Sequence, residues 1–183
     1  MRWKYMAVAL AASLALAACD APPELPPDPP PIGDFRLGHT KVSAKGSVVP
    51  DISRKVEPEV LQQALSDALE ERLGRYKGNK WYHLTVALEG YVLSPPGIPV
   101  IASPRSGMVL RVVVWDDTAG APLNEPHQLT IVEPTSPETV VGSGIARDAE
   151  QQLRALSRHA ARVIENWLKS PESSPLPGIG PGG

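Results

Sequence analysis

Few residues in this chain have the type and spacing that chemistry needs. Cys19 is the single cysteine, so it is the only thiol nucleophile, and no internal disulfide or thiolate metal site can form. His39, His83, His127 and His159 are scattered along the chain with no H-E-x-x-H or His-x-His pattern, so no metal centre is expected from them. Asp116-Asp117 offers two adjacent carboxylates. They stand in Asp116-Asp117-Thr118-Ala119-Gly120, where aspartate and glycine supply turn geometry rather than acid–base catalysis. Ser143 lies in Gly142-Ser143-Gly144, which lacks the G-x-S-x-G spacing of a nucleophile elbow. Its expected role is to cap a helix, although glycines at a helix start could also hold an anion. No phosphate loop or dinucleotide fingerprint occurs. No catalytic residues and no cofactor are therefore expected, and the chain reads as a non-enzyme.

The cysteine is defined by what precedes it. Arg2 and Lys4 open the chain, and an apolar run from Ala7 to Ala18 leads to Cys19. A basic start, about a dozen apolar residues and small residues before a cut describe a secretory leader. The run falls short of the roughly 20 residues that span a bilayer, so residues 1–18 are expected to be removed. Leu16-Ala17-Ala18-Cys19 resembles the lipobox of bacterial lipoproteins. That resemblance implies a diacylglycerol on the Cys19 sulfur, cleavage before Cys19 and an acyl chain such as palmitate on the new first residue. At about 0.8 kcal/mol per buried CH₂, two or three such chains make a lasting anchor. Asp20 follows the cysteine. In lipoproteins of this kind aspartate there implies retention at the inner membrane, so the expected location is the periplasmic side of a bacterial membrane, with a lean to the inner one.

Composition narrows the partners. The formal charge is −2, and the loss of Arg2 and Lys4 with the leader takes it to −4. A mildly acidic chain with no basic block is not built for nucleic acid. The remaining 165 residues suffice for one domain with a core. Asp20 to Asp34 holds seven prolines in fifteen residues. With Cys19 it reads as a tether (19–34), extended at about 3.1 Å per residue and able to hold the domain some 40–45 Å off the membrane.

The elements follow from periodicity. His39–Val49 alternates as a first strand, with Thr40, Val42, Ala44, Gly46 and Val48 on its apolar face. Pro58–Tyr76 carries Val60, Leu61, Ala64, Leu65, Ala68, Leu69 and Leu73 at helical spacing, with Pro58 in its first turn. Trp81–Leu93 is the clearest strand: Tyr82, Leu84, Val86, Leu88 and Val92 share a face. Met108–Trp115 and Gln128–Glu133 give two more strands, the last with a short continuation at 139–141. Ser143–Leu168 is a second amphipathic helix, and residues 170–183 have no periodic pattern and read as disordered. The order β-α-β-β-β-α predicts an α+β two-layer sandwich over residues 35–169, a mainly antiparallel four-stranded sheet covered by two helices.

One loop stands apart. Ser94–Ser106 carries Ile98, Val100 and Ile101 among four prolines, with Arg105 beside them. Apolar residues in a loop fold back on the core or meet a partner or membrane, so these four are the candidate partner-binding residues. The leader, the proline tether, Val112-Val113-Val114-Trp115-Asp116-Asp117-Thr118-Ala119-Gly120 and the helix opened by Gly142-Ser143-Gly144 together resemble small bacterial envelope lipoproteins of uncharacterised function. More distantly the chain is similar to lipoprotein activators of penicillin-binding proteins and to auxiliary lipoproteins of envelope lipid transporters. The resemblance implies a binding or scaffold module with an envelope protein as partner, or alternatively an accessory of lipid or small-molecule transport.

Overall fold

The computed structural model describes residues 25–95, 105–133 and 149–179. Its elements are β1 (Phe35–Ser43), α1 (Pro58–Leu73), β2 (Lys80–Val92), β3 (Gly107–Asp116), β4 (Ala121–Pro122), β5 (His127–Val132) and α2 (Ala149–Leu168). The sheet runs β1-β2-β3, and both β5 and the two-residue β4 pair with β3. β1 and β2 are parallel, as a strand–helix–strand unit requires. The other pairings are antiparallel. The α+β class and the mainly antiparallel sheet under two helices are as the sequence predicts.

Helix α1 begins at Pro58, whose missing N–H costs nothing in a first turn. It buries Leu61, Leu65, Ala68, Leu69 and Leu73, and Gly74 closes it by donating its N–H to Glu70 O at 2.9 Å. Val60, expected in the stripe, is 41% exposed. It precedes the first inward position by one residue and so points away from the sheet. α1 lies on β1, α2 lies on β5, and the helices pack on each other. They cover one face of the sheet.

Two strands depart from simple alternation, each at a bulge. β1 starts four residues before the expected His39, and Phe35 and Leu37 are buried in it. Gly38 and His39 then stand together opposite His83, between the pairs Leu37↔Tyr82 and Thr40↔Leu84. The extra residue flips the inward phase from odd to even numbers. The expected inward Gly46 and Val48 lie beyond the strand, and Val48 is exposed. In β2 the shift falls between Leu88 and Gly90. Tyr91 and Leu93 are therefore buried and Val92 is not, which corrects the expected fifth inward position.

The flanks are part of the domain. Ile32, in the expected tether, is buried, and Pro26 O accepts from the Arg75 guanidinium. The expected disordered tail is corrected over 170–179. Leu176 is buried, Trp167 Nε1 donates to Ser173 O at 3.0 Å, and Ser174 Oγ donates to Leu168 O at 2.7 Å. Two apolar residues, Leu176 and Ile179, suffice to dock a short proline-rich segment that shows no period of its own. Ile179 also reaches Gly33, so the two flanks meet. The start of the second helix at Ser143, the continuation at 139–141 and the leader lie outside the described residues.

Between the helices sits a buried ionic group. Arg72 Nη1 meets Glu165 Oε2 at 2.9 Å, and Tyr76 Oη donates to Glu165 Oε1 at 2.9 Å. Burial, then the hydrogen bond to this carboxylate, holds the Tyr76 phenol above its usual range.

Candidate functional site

On the face of the sheet away from the two helices, the bulge in β1 brings together polar side chains from three segments. The His39 backbone N–H donates to His83 Nδ1 at 2.8 Å. That bond requires the tautomer with hydrogen on Nε2, which meets Asp117 Oδ1 at 2.8 Å. The His39 ring stacks on His83 with centroids 5.2 Å apart. Gly38 is needed beside it, because a Cβ there would stand 2.5 Å from the His83 ring atoms Cε1 and Nδ1. Gly38→Ala is expected to displace the ring, break one or both hydrogen bonds and cost about 1–2 kcal/mol. Chemical denaturation checks the cost, and the ¹⁵N shifts of His83 report whether the single tautomer is lost.

The arrangement uses both ring nitrogens of His83. Neither a lone pair for a metal nor a base for a substrate proton is left on it. Asp116 is similarly engaged: its Oδ1 accepts the amides of Thr118 at 2.8 Å and Ala119 at 3.0 Å. The pair Asp116-Asp117 thus divides between closing the turn and holding a histidine. Among the described residues, no group of three or more His, Cys, Asp or Glu is placed to hold a metal.

Around this clasp the surface is aromatic. Trp115 stands opposite His83 on β3, and Trp81 lies two residues nearer the end of β2. The indoles are 38% and 45% exposed, and the Arg36 guanidinium lies 4.9 Å over the Trp81 ring. Two open depressions of about 290 and 310 Å³ form here, the first floored by Leu84 and Thr85 and rimmed by Lys41 and Trp115, the second between Gly38 and Trp81. The tryptophans were legible in principle: Trp81 and Trp115 have the opposite parity to the buried Tyr82 and Val114. The pairing of His39 with His83 was not legible, since it depends on a parallel pairing across 44 residues.

Of the residues singled out from sequence, Arg105 is exposed two residues before β3. Cys19, Asp20, Ile98, Val100 and Ile101 lie outside the described residues. The two ends of the loop meet at buried Ser106, whose Oγ accepts from Ser94 N at 3.3 Å and from Gln152 Nε2 at 2.7 Å. His127 stacks on Trp167 at 4.6 Å on the helix side of the sheet, away from the clasp. His159 lies on α2, where burial and the Arg162 guanidinium, 2.7 Å from its Nδ1, lower its pKa against a hydrogen bond with the Val132 backbone. A depressed histidine binds fewer protons folded than unfolded, so stability falls as pH drops through the unfolded value of about 6.5. Urea midpoints for His159→Gln are expected to lose part of that decline.

No protein-family model and no curated protein matches the chain. Among solved structures it is similar to a Xanthomonas campestris protein described under the DUF330 family model, at 15% identity, covering 72% of this chain and 85% of that one with a TM-score of 0.37. A Caulobacter crescentus protein named as a candidate lipoprotein aligns at 15% identity, over 75% and 89% of the two chains, with a TM-score of 0.34. A minor lipoprotein of Acinetobacter baumannii aligns at 16% identity, over 70% and 92%, with a TM-score of 0.29.

Proposed function

We propose that this chain is a lipid-anchored module of a bacterial cell envelope, held through Cys19 on the periplasmic side and working by contact rather than catalysis. The observation that carries the reading is the sheet face away from the helices, which no element among the described residues covers. Thirteen residues of β2 extend it over about 40 Å, and Trp81, Trp115 and Val132 stand exposed on it. Large apolar side chains gathered on one open face mark a contact surface. The engaged nitrogens of His83 fit a structural role for the one polar cluster beside them. No helix among the described residues is long and apolar enough to cross a membrane, and the lipobox resemblance supplies the means of attachment.

The end of this face farther from the tether offers Val132, Arg105 and the Arg111–Glu89 ion pair to an envelope protein. A photo-crosslinker placed at Val132 in living cells tests this. One dominant protein adduct supports a scaffold or regulatory module. Lipid adducts alone favour an accessory of lipid transport, and the absence of any adduct sinks the contact reading for this end.

A further inference from the structure

We infer that the tether end of this domain rests on the anionic headgroups of the membrane that holds its anchor, through Trp81 and Trp115 with Arg36, Lys77 and Lys80. The inference rests on acylation of Cys19 and goes beyond it by naming the surface that meets the lipid.

The first argument is the length of the leash. The described chain is packed on the domain soon after Leu25: Pro26 O holds Arg75, and Ile32 is buried. Only the five residues 20–24 separate the acylated Cys19 from Leu25. Fully stretched, the six steps between them reach about 20 Å. A tether of fifteen free residues would let the domain stand clear of the bilayer. One of five keeps this end beside it, at a high effective concentration, where a weak contact is enough.

The second argument is which side chains occupy that end. Phe35 pairs with Lys80 and Arg36 with Trp81, so the strand that follows the tether leads directly to the exposed indoles. Tryptophan suits a membrane interface, having an apolar body and a polar N–H. Lys77 and Lys80 are exposed, and Arg36 reaches Lys77 O at 3.4 Å while lying over Trp81. Asp34, Asp116 and Asp117 lie at the same end and keep their charge while accepting hydrogen bonds from Asn79, the turn amides and His83. The indoles therefore hold this end to the lipid, and Arg36, Lys77 and Lys80 beside Trp81 meet its phosphates.

The test uses the full acylated chain purified from membranes and reconstituted into vesicles of phosphatidylethanolamine and phosphatidylglycerol, with or without bromine-labelled acyl chains. After loss of the leader its tryptophans are Trp81, Trp115 and Trp167. Trp167 is buried against His127 and serves as the unquenched reference. Bromine is expected to quench the wild-type emission. The variant Trp81→Phe with Trp115→Phe is expected to lose that quenching while staying on the vesicles. Lys77→Glu with Lys80→Glu should reduce it, as should replacing phosphatidylglycerol with phosphatidylcholine. Equal emission from brominated and plain vesicles, with Cys19 shown acylated by intact mass, overturns the docking and leaves the anchor standing. Protection of the indoles from aqueous acrylamide without bromine quenching assigns the surface to a second copy of this chain and also overturns it. An unacylated Cys19 overturns both.

Discussion

Arg72→Met is expected to cost about 3–5 kcal/mol of folding stability. The guanidinium is the cationic partner of a carboxylate whose side chain is only 3% exposed. With Arg72 gone, Glu165 retains one donor, the Tyr76 hydroxyl at 2.9 Å, and a charge remains between two helices where water does not reach. The conservative companion isolates the cause. Glu165→Gln added to Arg72→Met removes the stranded charge and leaves Tyr76 an acceptor, so much of the loss should return. Urea unfolding of wild type, single and double variants checks this. Equal instability of the single and double variants would assign the cost to repacking around the new side chain rather than to the stranded charge, since methionine keeps an apolar stem of similar length. The pair needs a double-mutant comparison because truncating one partner of a buried pair measures the isolation of the other.

Phe35→Ala is expected to cost a similar amount, about 3–5 kcal/mol. Phe35 is 1% exposed. Its ring stacks on Tyr82 with centroids 5.5 Å apart and meets Tyr76 edge-on at 5.7 Å, so truncation leaves a cavity walled by two rings that other contacts hold in place. Tyr76 is fixed by Glu165, and Tyr82 by the β-ladder. The backbone there has little freedom to collapse. Gly78 donates to Phe35 O at 2.9 Å, and any side chain on Gly78 would run into the backbone of Asp34 and Phe35. Thermal and urea unfolding of the variant should show the loss with an unchanged denaturant slope.

Both predictions concern residues that the sequence patterns undervalue. Phe35 precedes Arg36 and Gly38, and its burial depends on a strand whose phase changes at the Gly38–His39 bulge. Alternation can be read only while the register is unbroken. It therefore succeeds from Tyr82 to Leu88 and fails at Val92, two residues past the shift at Gly90. Helical periodicity survives better, and α1 buries Leu61, Leu65, Ala68, Leu69 and Leu73 as its stripe predicts. Glu165 is the counterexample. It adjoins Ile164 on the helix and reads as a solvent-facing acid until Arg72, 93 residues earlier, is brought against it. The turn role of Asp116 was legible because its partners are two and three residues away. The flanks were illegible for the opposite reason: Ile32 and Leu176 are isolated apolar residues in proline-rich stretches, and only the finished core gives them a place to go.

The contact between Ile179 and Gly33 makes the chain suitable for cutting and rejoining. Ends that meet are the condition under which circular permutation is tolerated. A short bridge between them, with new ends opened at Gly46, would keep every pairing of the sheet. Gly46 is exposed, has a φ of +79° and has nothing within 4 Å of where a side chain would stand. It follows β1 at the far end of that strand from Phe35. A lipid attached there would suspend the same domain upside down. Comparing the two orientations in a cell would separate what depends on the fold from what depends on which end faces the membrane.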